Sequence, residues 1–311
     1  MQENNQTVTT PYRGRFAPSP TGPLHFGSLV AAVGSYLEAR QHRGKWLLRI
    51  DDLDTPRNVP GAADSILRTL ERLGLYGDEA VLYQSQRNEA YREALHTLKS
   101  NGVVYPCVCS RKEIADSTVR GIEGLVYPGT CRNGRAASAN PAQAMRTNSW
   151  RMCTQTEAIV VEDALQGRVS QSVQKEIGDF TVLRADGIFT YQIAVVVDDA
   201  FQGITHIVRG ADLLLSTPRQ IYLQRLLDLP TPTYAHLPIA INAAGEKLSK
   251  QTLAPYADIS NPCATLLRVL AFLGQDPPAE LAGYDLDTIW KWATAHWDMR
   301  KLRGTRTLLP G

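Results

Sequence analysis

No stretch of the 311-residue chain is apolar for long enough to cross a membrane. Its polar first residues, Met1 to Thr10, lack the apolar core of a secretory leader. The expectation is a cytoplasmic protein with no membrane partner. Charge of one sign is missing too: 33 Lys and Arg stand against 31 Asp and Glu, a net +2. A global polycation is excluded, so any contact with nucleic acid has to come from a local face. Cysteine is scarce. In a reducing cytosol the five present, Cys107, Cys109, Cys131, Cys153 and Cys263, are thiols or metal ligands rather than disulfides. Internal repeats and low-complexity tracts are absent. What remains, 43% hydrophobic and 21% charged residues, suits a globular protein with a real core in one large or two modest domains.

The chain is organised around Arg15-Phe16-Ala17-Pro18-Ser19-Pro20-Thr21-Gly22-Pro23-Leu24-His25-Phe26-Gly27-Ser28. Its prolines fix φ and remove backbone donors, so the segment is not helical. Gly22 and Gly27 permit close backbone approach to a ligand. The Ala/Leu-rich run Leu29 to Ala39 then reads as a helix. A helix entrance offers free N–H groups and partial positive charge, and His25 adds a donor, so this turn is a candidate phosphate site. Taken alone, the same stretch reads equally as a plain turn.

Residues 1–14 are polar and read as a flexible tail. Trp46-Leu47-Leu48-Arg49-Ile50 reads as a strand buried in a parallel sheet, ending at Asp51, Asp52 and Asp54. The carboxyl edge of such a sheet is where ligands bind. Helical periodicity over Ala62–Gly74 and Gln86–Ser100 completes a βαβ pattern, hence a doubly wound sheet. From Val103 to Asp186 the character changes: cysteines, a soft segment over Asn133–Gln143, and strand-like pieces at Trp150–Met152 and Ala158–Val161. This reads as an insertion between two halves of the fold. The sheet is expected to resume as a strand over Phe189–Val197, and Gly203–Gly210 reads as a strand delivering Arg209. A helix follows over Leu213–Leu227 with Pro218 in its first turn, then Pro238–Asn242 leads to Lys247-Leu248-Ser249-Lys250-Gln251. The expected organisation is a tail (1–14), a first half (15–102), an insertion (103–186), a second half (187–251) and a short helical C-terminal part (252–311).

HFGS and KLSK, in that order, resemble the two nucleotide-binding signatures of class I aminoacyl-tRNA synthetases. RFAPSPTGPLHFGS and LRIDDLDTPR resemble the glutamyl-tRNA synthetase branch in particular. The resemblance covers about Arg15 to Gln251 and implies an α/β fold: a Rossmann-like parallel sheet with a zinc-bearing insertion. It implies ATP binding by His25, Gly27, Ser28, Lys247, Ser249 and Lys250, with His25 and Lys250 as catalytic residues offsetting charge on the phosphates. Ser28 stands where many relatives have a second histidine, and Gln251 where many have a basic or hydroxyl residue. Mg²⁺ is expected with ATP, with Asp52 or Asp54 as candidate helpers.

A side-chain carboxylate calls for arginine's planar fork, which makes Arg15 and Arg209 the candidates. The resemblance places Arg15, Phe16, Ala17, Pro18, Ser19, Asp51, Tyr191 and Arg209 around L-glutamate, with Asp51 where relatives usually carry Glu. The rival readings are an ion pair of Arg209 with Asp198 or Asp212, and core packing for Tyr191. Cys107-Val108-Cys109 and Cys131 have the spacing of a metal knuckle, and thiolates favour zinc, with buried free thiols the rival. The resemblance, not the spacing, supplies Tyr127 as fourth ligand of a structural Zn²⁺. Cys153 and Cys263 read as core.

Sixty residues, 252–311, follow Gln251, fewer than the helical anticodon-reading domains of ordinary glutamyl-tRNA synthetases. The chain thus resembles the truncated glutamyl-Q tRNA(Asp) synthetases, which activate glutamate without tRNA and esterify it to queuosine in the anticodon stem-loop of tRNA(Asp). Arg111, Lys112, Arg120, Arg132 and Arg135 either meet its phosphates or are solubilising charge. A monomer is expected. The alternatives are a minimal glutamyl-tRNA synthetase charging tRNA(Glu), a nucleotidyltransferase of the same superfamily, and a catalytically silent RNA-binding paralogue.

Overall fold

The apolar run ending at Ile50 is the middle of a parallel sheet, as its continuous hydrophobicity requires of a strand covered on both faces. In the computed structural model, which describes residues 11–110, 112–114, 119–121, 124–134, 148–248 and 256–310, β1 (Arg13–Phe16) leads through α1 (Phe26–Gln41) to β2 (Lys45–Ile50). From there α2 (Ala62–Arg72) leads to β3 (Leu82–Tyr83), which α3 (Asn88–Ser100) follows. β2 pairs with β1 on one side (Arg15 opposite Leu47) and with β3 on the other (Ile50 opposite Tyr83). Residues 1–10 of the expected tail lie outside the described residues, but Tyr12 to Gly14 belong to the fold. Tyr12 is buried, and its ring stacks on those of His42 and His206.

The chain between the halves forms β4 (Val104–Cys107), β5 (Val119–Gly121), β6 (Gly124–Val126), β7 (Ser149–Met152), β8 (Ala158–Asp163), β9 (Gly167–Ser172), α4 (Val173–Glu176) and β10 (Thr181–Leu183). β4, β7 and β10 make a small antiparallel sheet, and β5 and β6 a hairpin. The β8–β9 hairpin instead extends the second half's sheet, through a parallel bridge between Asp163 and Tyr234.

One expectation is overturned. The Phe189–Val197 run is not a strand: α5 spans Tyr191–Phe201. Ile193, Ala194, Val195 and Val196 are all buried, so the segment is apolar on every face and its pattern has no period to read. β11 (His206–Gly210), α6 (Thr217–Leu226, Pro218 in its first turn) and β12 (Thr233–Leu237) follow. β11 runs beside β1: Thr205 N donates to Arg13 O at 3.0 Å, and Arg13 N to Thr205 Oγ1 at 2.9 Å. The sheets 3-2-1 and 11-12-8-9 therefore lie side by side, and the order reverses between β1 and β11. That switch point is where a doubly wound sheet opens a crevice.

β13 (Ile239–Ala240), α7 (Pro262–Phe272), α8 (Leu286–His296) and β14 (Thr307–Leu308) complete the described chain. The C-terminal helices share one core with α1 and β2. Trp297 Nε1 donates to buried Glu38 at 2.6 Å, and Trp290 Nε1 to Leu73 O at 2.8 Å. β14 returns to pair with β13, a contact no sequence pattern announced. α1 sits so close to β12 that a Cβ on Gly34 would lie 2.6 Å from Leu237 Cδ1. No described helix is long and apolar enough to cross a membrane.

Candidate active site

The switch point holds a cavity of about 480 Å³. The Arg15–Ser19 segment leaving β1 forms one wall, the entrance of α1 the floor, and Val208–Gly210 with Leu237–Ala240 the opposite wall. His25 is the N-cap of α1: its Nδ1 accepts from Ser28 N at 3.3 Å, and its Nε2 lies 3.2 Å from Ser28 Oγ. The ring thus sits over the positive end of the helix, as expected of an anion site. A Cβ on Gly27 would crowd that ring at 3.3 Å and make an ordinary contact with Leu248 O at 3.8 Å, so the bare glycine gives the imidazole its room. Lys247 reaches the cavity rim, its Nζ 2.6 Å from Asp212 Oδ2. Ser249, Lys250 and Gln251 lie outside the described residues.

The two candidate arginines differ in their partners. Arg15 is buried, and its charge is met by Asp199: Nε donates to Oδ1 at 3.1 Å and Nη2 to Oδ2 at 3.4 Å. Fully buried Arg49 binds the same Asp199 at 2.6 Å and Asp51 at 2.7 Å. Burial would raise Asp199, but Arg15 and Arg49 outweigh it and hold the carboxyl below the usual range. Arg209, 5% exposed, faces neutral acceptors instead: His236 Nε2 (3.1 Å), Thr217 Oγ1 (2.9 Å), Gln220 Oε1 (2.8 Å), Leu213 O (3.3 Å) and Tyr191 Oη (3.3 Å). Among the described residues no carboxylate partners it. Asp198 bonds Arg87, Gln84 and Tyr91, and Asp212 bonds Lys247, so neither ion pair weighed for Arg209 is present. A buried guanidinium that borders a cavity without a carboxylate partner has the chemistry to take an anionic ligand. Tyr191, at the start of α5, both borders the cavity and packs against the core of the second half.

Asp51 does not border the main cavity. It lines a smaller one of about 220 Å³ that shares Ser19 and Tyr191 with the first. Burial pushes its carboxyl up to about 6, an effect the Arg49 charge only partly offsets. Asp52 is engaged by Ser85, whose N and Oγ both donate to it at 2.7 Å. Asp54 pairs with Arg57 at 2.6 Å and Arg184 at 3.1 Å.

Cys107, Cys109 and Cys131 come together with their sulfurs all within 4.8 Å of one another. Tyr127 Oη lies 3.4 Å from the sulfurs of both Cys107 and Cys109 and accepts from Cys131 N at 3.0 Å. Burial, with the neighbouring sulfurs adding to it, pushes the Cys109 thiol up to about 12. Three sulfurs and a phenolic oxygen this close have the donor set and spacing to hold a zinc ion. Arg132 turns inward to Asp179, which also accepts from Tyr105 Oη at 2.5 Å and Thr154 N at 2.9 Å. Of the other basic residues weighed for phosphate contact, Lys112 is exposed, while Arg111, Arg135 and the side chain of Arg120 lie outside the described residues. Cys153 packs against the cluster that holds these cysteines without joining the close group of sulfurs, and Cys263 packs against the main core.

The reading of the sequence missed Asp199, Asp163, His236, Thr217 and Gln220. The one visible signal was His236, a polar residue inside the apolar strand Tyr234-Ala235-His236-Leu237.

The sheet order and the cavity at its reversal define a doubly wound fold with a ligand crevice at its switch point, and the family match makes it the catalytic domain of a class I aminoacyl-tRNA synthetase. Residues 11–280 match the family model described as tRNA synthetases class I (E and Q), catalytic domain. The chain is 56% identical to the Glutamyl-Q tRNA(Asp) synthetase of Dechloromonas aromatica, over 97% of this chain and 100% of that one. It is 52% identical to the protein of the same name from Chromobacterium violaceum, over 96% and 98%. Among solved structures it resembles a glutamate tRNA ligase from Elizabethkingia meningosepticum in complex with its amino acid, with TM-score 0.77 and 25% identity over 96% of this chain and 67% of that one. The chain belongs to the glutamyl-Q tRNA(Asp) synthetase family.

Proposed function

We propose that this chain activates L-glutamate with ATP, without tRNA, to glutamyl-adenylate, and transfers the glutamyl group to queuosine in the anticodon of tRNA(Asp). The observation that carries the reading is the likeness, along their whole length, to relatives named for that acceptor. The Arg209 cavity supplies the physical counterpart, a receptor for glutamate's side-chain carboxylate. In this reading the carboxylate binds Arg209 and Tyr191, with Arg15 and the Phe16-Ala17-Pro18-Ser19 backbone beside it, and Asp51 takes the ammonium. His25, Gly27 and Ser28 at the helix entrance hold the ATP phosphates, and Lys247, Ser249 and Lys250 complete the ATP-binding set, with Lys250 catalytic. Mg²⁺ accompanies ATP and screens its phosphates. Cys107, Cys109, Tyr127 and Cys131 hold a structural Zn²⁺. The protein works in the cytoplasm as a monomer.

The test is transfer of labelled glutamate to tRNA(Asp) carrying queuosine, tRNA(Asp) carrying guanosine, and tRNA(Glu). Label on the queuosine form alone is expected. Label on tRNA(Glu) would make the chain a minimal glutamyl-tRNA synthetase, and glutamate-independent behaviour throughout would leave a silent RNA-binding paralogue.

The Asp51 carboxyl gives the reaction a pH signature. With a pKa of about 6, the group is anionic above that value and neutral below it. An ammonium is held only by the anion, so KM for glutamate should rise as pH falls through 6. At one unit below the pKa the anionic fraction is about a tenth, which predicts roughly a tenfold rise by pH 5. Asp51→Asn should give a high KM with no step between pH 5 and 7. A wild-type KM that is flat over that range would remove Asp51 from the ammonium site.

A further inference from the structure

Three neighbouring strands deliver three polar side chains in a row. Arg209 on β11 is the register partner of His236 on β12, and Asp163 closes β8 opposite Tyr234. His236 is fully buried, and its Nδ1 lies 2.6 Å from Asp163 Oδ2, whose side chain is buried as well. The other carboxylate oxygen, Oδ1, accepts three backbone N–H groups: Leu165 at 3.0 Å, Gln166 at 2.8 Å and His236 itself at 3.2 Å. The carboxylate therefore cannot turn. With Nδ1–H given to Asp163, His236 presents the lone pair of Nε2, to which Arg209 Nε–H donates at 3.1 Å, with Thr217 Oγ1 3.3 Å from the same nitrogen.

We propose that the Asp163–His236 pair is a positioning device for Arg209: it fixes the imidazole tautomer that accepts from the guanidinium, and so aims the Arg209 fork at the substrate carboxylate without neutralising its charge. The choice of residue is physical. A carboxylate touching Arg209 directly would satisfy it and compete with the substrate, as Asp199 satisfies Arg15. A neutral imidazole orients the fork and leaves the charge for the ligand. The rival explanation is that the pair merely pins β8 to β12, where the strands share a single bridge.

The inference rests on the reading of Arg209 as glutamate receptor, and glutamate-dependent ATP–pyrophosphate exchange separates the two. Asp163→Asn is the discriminating variant. Three N–H donors hold the amide oxygen at the Oδ1 position, so the amide NH₂ must face His236 Nδ1. The imidazole proton is driven to Nε2, where it meets Arg209 Nε–H, donor against donor. A fork misaimed by a fraction of an ångström to an ångström should raise KM for glutamate on the order of 10²-fold, with KM for ATP moving less than about threefold. His236→Gln, whose amide oxygen reaches the place of Nε2, should lose at least about tenfold less than His236→Leu, because it keeps a hydrogen-bond acceptor there. If Asp163→Asn does not fold, the His236 pair decides. Variants that melt earlier but leave KM for glutamate no more changed than KM for ATP would overturn the inference and leave a strand clasp. Wild-type protein without glutamate-dependent exchange, or Arg209→Ala with wild-type KM for glutamate, would instead sink the reading on which it rests.

Discussion

Arg209→Ala should raise KM for glutamate by about 10²- to 10³-fold while KM for ATP stays near its wild-type value. Losing one partner of a buried, hydrogen-bonded charge pair costs about 3–5 kcal/mol, and each ~1.4 kcal/mol is a factor of ten in affinity. The effect is placed on Arg209 rather than Arg15 because of their counterions. Asp199 already satisfies Arg15, whereas the described partners of Arg209 are all neutral. Arg209→Lys should fall between, since it keeps the charge but cannot span Thr217, Gln220 and a carboxylate with one planar fork. The alanine variant also strands the buried Gln220 acceptor, at about 1–3 kcal/mol, while His236 Nε2 keeps Thr217 Oγ1 at 3.3 Å. Exchange kinetics must therefore be measured well below its melting transition. An unchanged KM for glutamate would show that the carboxylate binds elsewhere.

What could be read in advance follows the range of the interactions. His25 at a helix entrance, a buried strand ending in Asp51 and the cysteine spacing are local, set by residues a few positions apart, and each has a chemical signature at that scale. Arg209 was legible for the same reason, as an arginine ending an apolar strand before Gly210. Its surroundings were not. Asp163 and His236 stand 73 residues apart and meet only because β8 and β12 are neighbours, which no periodicity encodes. Asp199 shows the same limit. In sequence it is one of two acids closing an apolar run, with nothing to say that Arg15 and Arg49 converge on it from β1 and β2. The misreading of Phe189–Val197 as strand comes from the continuous apolar run Ile193–Val197, four of whose residues are buried, which shows no polar face to reveal a helix. The pairing of Thr307–Leu308 with Ile239–Ala240 is a further contact between distant segments that short, ordinary sequence cannot disclose.

Metal analysis of the purified protein should find one zinc per chain, and Cys107→Ser should remove most of it and loosen the segment around Tyr127 and Cys131. The expected size comes from how little else holds this region. Among the described residues its buried cluster is Tyr105, Cys107, Tyr127 and Cys131, with Val108, Cys109, Ile114 and Cys153 partly buried against it, few apolar groups to fix a loop-rich stretch by hydrophobic burial. Structural zinc contributes an apparent ~10–16 kcal/mol in small sites, so its loss should outweigh any single packing change here. Limited proteolysis should then cut this stretch in the serine variant and spare it in the wild type. Asp179, tied to Arg132, Tyr105 and Thr154, anchors the outer side of the site and should keep β4 and β7 paired without metal. Tyr127→Phe separates ligation from packing. It keeps the ring beneath Arg151, whose guanidinium lies 4.0 Å above it, and removes only the oxygen among the sulfurs. If that oxygen is the fourth ligand, zinc affinity should fall by about 10- to 100-fold in competition with a chelator, on the scale set by loss of one well-placed metal partner. Unchanged affinity would reduce the hydroxyl to an acceptor for Cys131 N. A wild-type protein free of zinc would make the three cysteines buried thiols, and Cys107→Ser should then be nearly silent in proteolysis.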